Sequence, residues 1–567
     1  MREVLAVLVV AVVACTPAAP ELVRAPPPPP PRAEAPLEAA PEPVPDHAVV
    51  DATLRPEERV LDVALTVPLA WLPRDADRVV VRFRNERFRA GPTSYSEFVR
   101  GIDAARNEVP WQEEHTLPPD RVLSLRYRVH LEHAAADPVV GVDEVPHATA
   151  GGWFLNGRAF VPRLYLPTPA RDKNLDLEAE IALHLPEGYA LESSAGAESE
   201  GRIRTQSLAE LHDAIYYTGK FQSKRLTEGS VDVTLVTSDF TAEDLAPLGS
   251  LVTRTLRLGA KELGTIAPVH LLLAYDKAAE RAGGVVGRGI SLLYEAPPDG
   301  RASSPMGVVV VHELMHLWNR ADQEWMSEGF TRYLEVMMSL RLDAAEKEEI
   351  AERLLSVHDN YARAIGNGTI AQARDSLAYS GGAVIAFCTD ADLKADGSSL
   401  ALVHQAVRKK TGVPLVVDEL LNAVDAASKQ SGVALRERLT RRGAIDFGKC
   451  LRQAGYRVKV TEYAGITAKA LALDVLHIRG HDTSTAKVLR VEEGSPFQQG
   501  DVIESVEGTP IHSMEGVPYL LRRHRPGQII HMLVRRGNAT VRITLAMPKL
   551  AQTARPKQRR FVVVSYP

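Results

Sequence analysis

The chain has 567 residues, of which 45% are hydrophobic and 25% charged, and its formal net charge is −5. That length exceeds what a single hydrophobic core organises, so two to four domains are expected. The composition is that of a globular protein, and the near-balanced charge argues against nucleic acid as a partner, with only a short basic cluster at Pro556-Lys-Gln-Arg-Arg560.

At the N-terminus, Arg2 precedes an apolar run from Val4 to Ala14 that stops at Cys15. The run is too short to cross a bilayer as an ordinary helix and has the form of a signal-peptide core. The small residues before Cys15 resemble the cleavage box of bacterial lipoproteins. The resemblance implies a signal peptide over 1–14 and a lipid on Cys15. It also implies a chain anchored to a membrane of the bacterial cell envelope, facing the periplasm or outer surface. Residues 15–47 are rich in Pro and Ala, with Pro26 to Pro31 unbroken, and read as a semi-rigid tether. The remaining cysteines, Cys388 and Cys450, lie in apolar, helical-looking surroundings. Two buried single thiols are expected, with a bridge as the alternative in an oxidising compartment.

From 48 to 238 the dominant period is two. Leu123, Leu125, Tyr127, Val129 and Leu131 alternate with polar residues, as do Leu175, Leu177, Ala179, Ile181, Leu183 and Leu185, and then Val231, Val233 and Leu235. Such alternation marks strands with one buried face, so an antiparallel β domain is expected.

From 239 to 458 helical periods take over. Pro247 to Leu263 reads as one amphipathic helix with Gly264 just past its end. Val269 to Tyr275 reads as a short buried strand, and Gly283-Gly-Val-Val-Gly-Arg-Gly-Ile-Ser291 as a turn entering another. Then comes Val308-Val-Val-Val-His312-Glu313-Leu-Met-His316-Leu-Trp-Asn319. Four residues apart on a helix, His312 and His316 project from one face and can share a zinc ion, with Glu313 placed to activate water. A catalytic zinc usually takes a third protein ligand. Glu328 and Glu335, in Trp325-Met-Ser-Glu328-Gly-Phe-Thr-Arg-Tyr-Leu-Glu335, both offer one.

The region from 459 to 549 has a different character. Gly500-Asp501-Val-Ile503, Glu507-Gly-Thr-Pro-Ile511 and the strand Val541 to Leu545 resemble the turns and strands of a PDZ domain. The resemblance implies capture of an extended C-terminal peptide by strand addition, with a carboxylate-binding loop over Ala468 to Val475. A packing domain with a degenerate groove is the alternative. Residues 550–567 read as a C-terminal tail.

His-Glu-Leu-Met-His-Leu-Trp-Asn and Ser327-Glu-Gly-Phe-Thr-Arg-Tyr333 resemble the zinc segments of the glycyl aminopeptidase family of gluzincins. The resemblance implies a multidomain α+β protein: an N-terminal β domain, a thermolysin-like, mostly helical zinc-peptidase domain, and the PDZ module. Glu335 lies 19 positions after His316, the literal spacing of many gluzincins. The local context nevertheless matches Glu328, which the resemblance implies as the third ligand of one zinc ion. Glu335 is then a neighbouring carboxylate or a solvated helix residue. Tyr379-Ser-Gly-Gly resembles the segment whose tyrosine stabilises the oxyanion in aminopeptidase relatives, with Gly381 in place of a lysine. The implied function is hydrolysis of peptides or proteins. The stretch Gly283 to Arg288 lacks the acid that grips a free amine in that group, so an endopeptidase fits as well as an aminopeptidase. The rival reading is a non-catalytic PDZ-bearing scaffold. Trp318 and Trp325 are expected to pack, Asp390 and Asp392 to orient their neighbours, and His404, His512 and His531 to have surface or core roles.

Overall fold

The computed structural model describes residues 45–83, 98–131, 146–168, 173–196, 202–277, 282–286, 289–294, 297–343, 347–411, 414–464, 478–482, 486–491, 493–510, 517, 521, 527–546 and 557–565. The expected signal peptide, Cys15 and nearly all of the tether lie outside the described residues, as do His512 and the loop Ala468 to Val475.

In the N-terminal region the period-two segments become strands. A seven-stranded sheet runs Arg202–Thr205, Ala179–His184, Ala48–Arg55, Val60–Pro68, Val122–His130, Val99–Ile102, Glu108–Pro110. Most neighbours are antiparallel, but Ala48–Arg55 pairs parallel with Ala179–His184, which strand-by-strand alternation does not reveal. The alternating residues Val50, Leu65, Leu123 and Tyr127 turn into one core, where the Tyr127 hydroxyl donates to Phe160 O at 2.7 Å. Two short helices, α1 (Gly157–Phe160) and α2 (Leu208–His212), close this core. On α2, the buried His212 donates Nδ1–H to Val161 O, and burial pushes its pKa down to about 3.

A five-stranded sheet follows in the order Gln222–Glu228, Val231–Thr237, Val269–Asp276, Gly289–Leu293, Ala282–Val286. Val231–Thr237, read from its alternation as part of the N-terminal region, pairs parallel with Val269–Asp276, so pairing runs across residue 238. Leu271 to Tyr275 are all buried, as expected of a parallel strand covered on both faces. Gly283 to Val286, expected as a turn, form the edge strand itself, antiparallel to Gly289–Leu293.

The helical region comprises α3 (Ala246–Leu263), α4 (Pro305–Met315), α5 (Glu324–Asp343), α6 (Lys347–Ala364), α7 (Asp375–Ala395), α8 (Leu400–Thr411), α9 (Val417–Ala427), α10 (Lys429–Thr440) and α11 (Phe447–Gln453). Helix α3 ends as expected at Gly264, whose φ of +80° is costly for any side-chain-bearing residue. Its carbonyl accepts the indole N–H of Trp318 at 2.6 Å. Trp318 and Trp325 are buried packing residues, as expected.

The cysteines correct an expectation. Cys388 on α7 and Cys450 on α11 form a disulfide, with Cα atoms 5.0 Å apart, rather than two single thiols. The partners are 62 residues apart, and only the packing of α11 on α7 brings them together.

The C-terminal region is a small sheet in the order Ile478–Asp482, Lys487–Val491, Val502–Val506, Ile529–Arg536, Ala539–Ala546, with Thr509–Pro510 paired to Val502–Val506. Val488, Ile503, Ile530 and Met532 supply its core. Asp501 is buried and held by Arg536 through two bonds of 2.8 and 2.9 Å. Residues 557–565, read as tail, form a strand antiparallel to Arg457–Ala464.

Candidate metal centre

Helix α4 begins on Ser304, whose hydroxyl accepts from Gly307 N, with Pro305 in its first turn. It ends at Met315, and His316 is its C-cap with φ −61° and ψ −17°. His316 thus keeps helical geometry and stays on the face of His312, the two rings 5.1 Å apart and nearly perpendicular. His312, Glu313 and His316 each offer a donor atom, all within 4.8 Å of one another. The Glu313 carboxylate lies 3.8 Å from His316 Nε2.

Helix α5 brings a carboxylate to the same point. Glu328 Oε2 lies 3.5 Å from His312 Nε2 and 3.3 Å from His316 Nε2. Burial works to raise the Glu328 carboxyl, but hydrogen bonds from His312 and His316 outweigh it and hold it far below the usual range. Glu335, two turns further along α5, approaches the other edge of His312, with Oε2 3.4 Å from Nδ1. It is fully buried and takes a 2.5 Å ion pair from Arg332. Burial pushes His312 down, and the carboxylates of Glu328 and Glu335 on its two edges reverse this and raise it to about 9.

The opposite nitrogens of both imidazoles are therefore engaged. His316 Nδ1 faces Asn319 O and Thr331 Oγ1, each at 3.3 Å. Thr331 donates its proton to Ser327 O at 2.6 Å, so toward His316 it accepts. With the outer edge of each ring engaged through Nδ1, Nε2 is the nitrogen turned toward Glu328 and the one that would ligate a metal ion there. Two imidazole nitrogens and a carboxylate oxygen, converging in a buried site with their outer edges hydrogen-bonded, are the donor set that zinc prefers.

Asn319 organises the back of the site. Its side-chain amide donates to Met326 O, Ser327 O and Thr331 Oγ1, each at 2.9 Å, and its Oδ1 meets His404 Nε2 at 3.2 Å. Asn319 stood at the end of the first zinc segment, Thr331 and Arg332 stood within the second, and their roles follow only from helix packing.

Tyr379 sits in the second turn of α7, its ring stacked on that of His312 with centroids 5.7 Å apart and planes 18° from parallel. Glycine puts it there. A Cβ on Gly382 would lie 1.9 Å from Trp325 O, and one on Gly329 would lie 2.3 Å from Gly382 Cα, so α5 and α7 touch backbone to backbone beside Glu328. The edge strand Ala282–Val286 runs against α4.

Other sequence candidates have plain structural roles. Asp390 accepts from Tyr333 Oη at 2.5 Å and Leu400 N at 2.8 Å, and Asp392 pairs with Arg438 at 2.5 Å. His404 is buried, and His531 pairs with Thr544 on the surface.

No family model and no curated protein matches the chain. Among solved structures, an aminopeptidase N family protein from Idiomarina loihiensis aligns over 91% of this chain and 98% of its own, with a TM-score of 0.57 and 15% identity. An M1 zinc metallopeptidase from Deinococcus radiodurans aligns over 69% of this chain and 93% of its own, with a TM-score of 0.44 and 19% identity. A variant of the latter has been solved with a Tyr-Ser-Ala substrate, at a TM-score of 0.42 and 16% identity. The chain therefore has the multidomain α+β fold of the Idiomarina aminopeptidase N family protein, and within that fold its His-Glu-x-x-His group is intact.

Proposed function

We propose that the chain is a zinc-dependent peptidase of the glycyl aminopeptidase type, in which His312, His316 and Glu328 hold one zinc ion. The observation that carries this reading is the convergence of Glu328 Oε2 on both Nε2 atoms, at 3.3 and 3.5 Å. Glu335 faces the far edge of His312 and acts as a positioning residue, keeping the proton on Nδ1. Glu313 lies nearby but outside that convergence, which suits a proton carrier better than a ligand.

Zinc, when bound at such a site, polarises the scissile carbonyl and acidifies water. Glu313 takes the proton from water as its oxygen bonds to the carbonyl carbon. It delivers that proton to the amide nitrogen as the C–N bond breaks. The Tyr379 hydroxyl donates to the oxygen that becomes negative, its ring being held against His312. An extended substrate pairs with the edge strand Ala282–Val286, which lies along α4. No carboxylate occurs between Gly283 and Arg288, so a free amine is not required and peptides with blocked N-termini are accepted.

Anchoring through Cys15, with export across a membrane, belongs to the same proposal. The Cys388–Cys450 disulfide supports it, because such bonds persist in oxidising compartments. The C-terminal sheet is proposed as a PDZ-like module that captures a peptide C-terminus.

The test is cleavage of N-terminally free and blocked peptides by the zinc-loaded chain, beside Glu313→Gln. That variant keeps stoichiometric zinc and loses roughly 10²–10⁴-fold in kcat. Full activity in the variant, or no cleavage of any peptide by the zinc-loaded wild type, contradicts the reading.

A further inference from the structure

The two imidazoles of the candidate metal centre are backed differently. His316 Nδ1 faces neutral acceptors, Asn319 O and Thr331 Oγ1, each at 3.3 Å. His312 Nδ1 faces a carboxylate, Glu335 Oε2, at 3.4 Å. Glu335 is 0% exposed, so its charge sits where water cannot solvate it, and a charge buried in this way is stable only when paired.

Arg332 supplies the pairing. It stands one turn before Glu335 on α5, a spacing that puts both side chains on one face of the helix. Its Nη1 donates to Glu335 Oε2 at 2.5 Å, the same oxygen that faces His312. Glu335 Oε1 is buried with no hydrogen-bond partner among the described residues, so the carboxylate is held through Oε2 alone. The charge of Arg353 on α6 also reaches this carboxylate, but its Nη2 is spent on Ser303 O. Taking the Arg332 guanidinium away leaves the ring of His312 as the one hydrogen-bond donor to Glu335 among the described residues. Nothing else then fixes Oε2 opposite Nδ1.

Resting on the zinc site proposed above, we infer that Arg332 is a positioning residue, acting through Glu335 to hold the His312 ring in the orientation that offers Nε2 to a metal ion. Arg332 itself touches neither the ligand atoms nor the substrate. A carboxylate behind a ligating imidazole fixes the ring and makes it a better donor, and its loss weakens metal binding about 10–100-fold. The share that depends on aiming and compensating the carboxylate belongs to Arg332, so its removal weakens zinc binding about tenfold. The Arg332 side chain is 27% exposed, so it can be exchanged without opening the core.

The test is zinc affinity of the full chain by chelator competition, for the wild type, Arg332→Met, Glu335→Gln and the double variant. The expected result is a loss of about tenfold in Arg332→Met and recovery of most of it in Arg332→Lys. Adding Arg332→Met to Glu335→Gln produces no further loss, because the arginine acts only through that carboxylate. An arginine with a merely structural role lowers the unfolding midpoint of the metal-free chain and leaves zinc affinity unchanged, or weakens it equally in both backgrounds. Either result overturns the inference while the zinc site stands. A wild type that binds no zinc overturns the zinc-peptidase reading and the inference with it. Should Arg332→Met not fold, Arg332→Gln, which keeps a donor without the charge, carries the same comparison in both backgrounds.

Discussion

The two sides of helix α5 make opposite use of the same twenty residues. Toward α4 the helix presents Glu328, Thr331 and Glu335, and each is tied to an imidazole or an amide. Away from α4 it presents Leu334 and Met337 to a cavity bordered by His404, whose Nδ1 has no hydrogen-bond partner among the described residues. The first side is rigid because buried polar groups must be satisfied, and satisfying them leaves few geometries. The second side is apolar and tolerates a void, since dispersion loss is spread over many weak contacts. The difference teaches that the candidate metal centre is built by hydrogen bonding around the histidines, while apolar packing on the far side of α5 helps place the helix that carries Glu328.

The comparison breaks hardest where α5 meets α7. Gly382→Val places a branched side chain against Trp325 O, already 1.9 Å from an added Cβ. A loss of roughly 3 kcal/mol or more is expected in denaturant unfolding. If the variant is isolated folded, Tyr379 is displaced and activity falls with it. Removing the Cys388–Cys450 bridge by a double alanine substitution comes next, at roughly 2–4 kcal/mol. The proposed zinc ligands are not on that bridge, so metal content is expected to be unchanged.

Acid tests the apolar side. His404 has its folded pKa lowered from 6.5 to about 4 by burial, with Arg408 adding to the shift. Between those values the unfolded chain binds the proton and the folded one does not. Stability is therefore full above pH 6.5 and falls as pH drops toward 4, by roughly 2 kcal/mol at pH 5 for this group. Buried His212, lowered to about 3, adds a loss of the same sign. Urea unfolding of the wild type against pH reads the sum, and His404→Gln flattens part of the slope.

The smallest of these effects sharpens the polar side. Glu335→Gln keeps an acceptor for the Nδ1–H of His312 but removes the charge, and zinc affinity falls about 10–100-fold, the usual cost of losing a partner behind a metal ligand. A chelator competition measures it.

How much of this was legible in the residues follows from the range of each contact. The pairing of His312 with His316 is a one-turn relation, and α3 with its stop at Gly264 is a matter of local period and φ, so both could be read directly. Glu328 was expected at the site from its surrounding motif, although Glu335 had the familiar spacing, and both carboxylates lie within 3.5 Å of a histidine nitrogen. The disulfide, the parallel pairing of Val231–Thr237 with Val269–Asp276, and the backbone contact at Gly382 join segments far apart in sequence. No local periodicity carries that information. The edge strand Ala282–Val286 was masked by its glycines, which read as a turn until a partner strand supplies the hydrogen bonds.

The central claim is tested most directly by the zinc stoichiometry of Glu328→Gln and Glu335→Gln, purified and loaded side by side with the wild type. The account predicts one zinc per chain in the wild type and in Glu335→Gln, and little or none in Glu328→Gln. An empty Glu335→Gln beside a fully loaded Glu328→Gln would contradict it and move the third ligand two turns along α5.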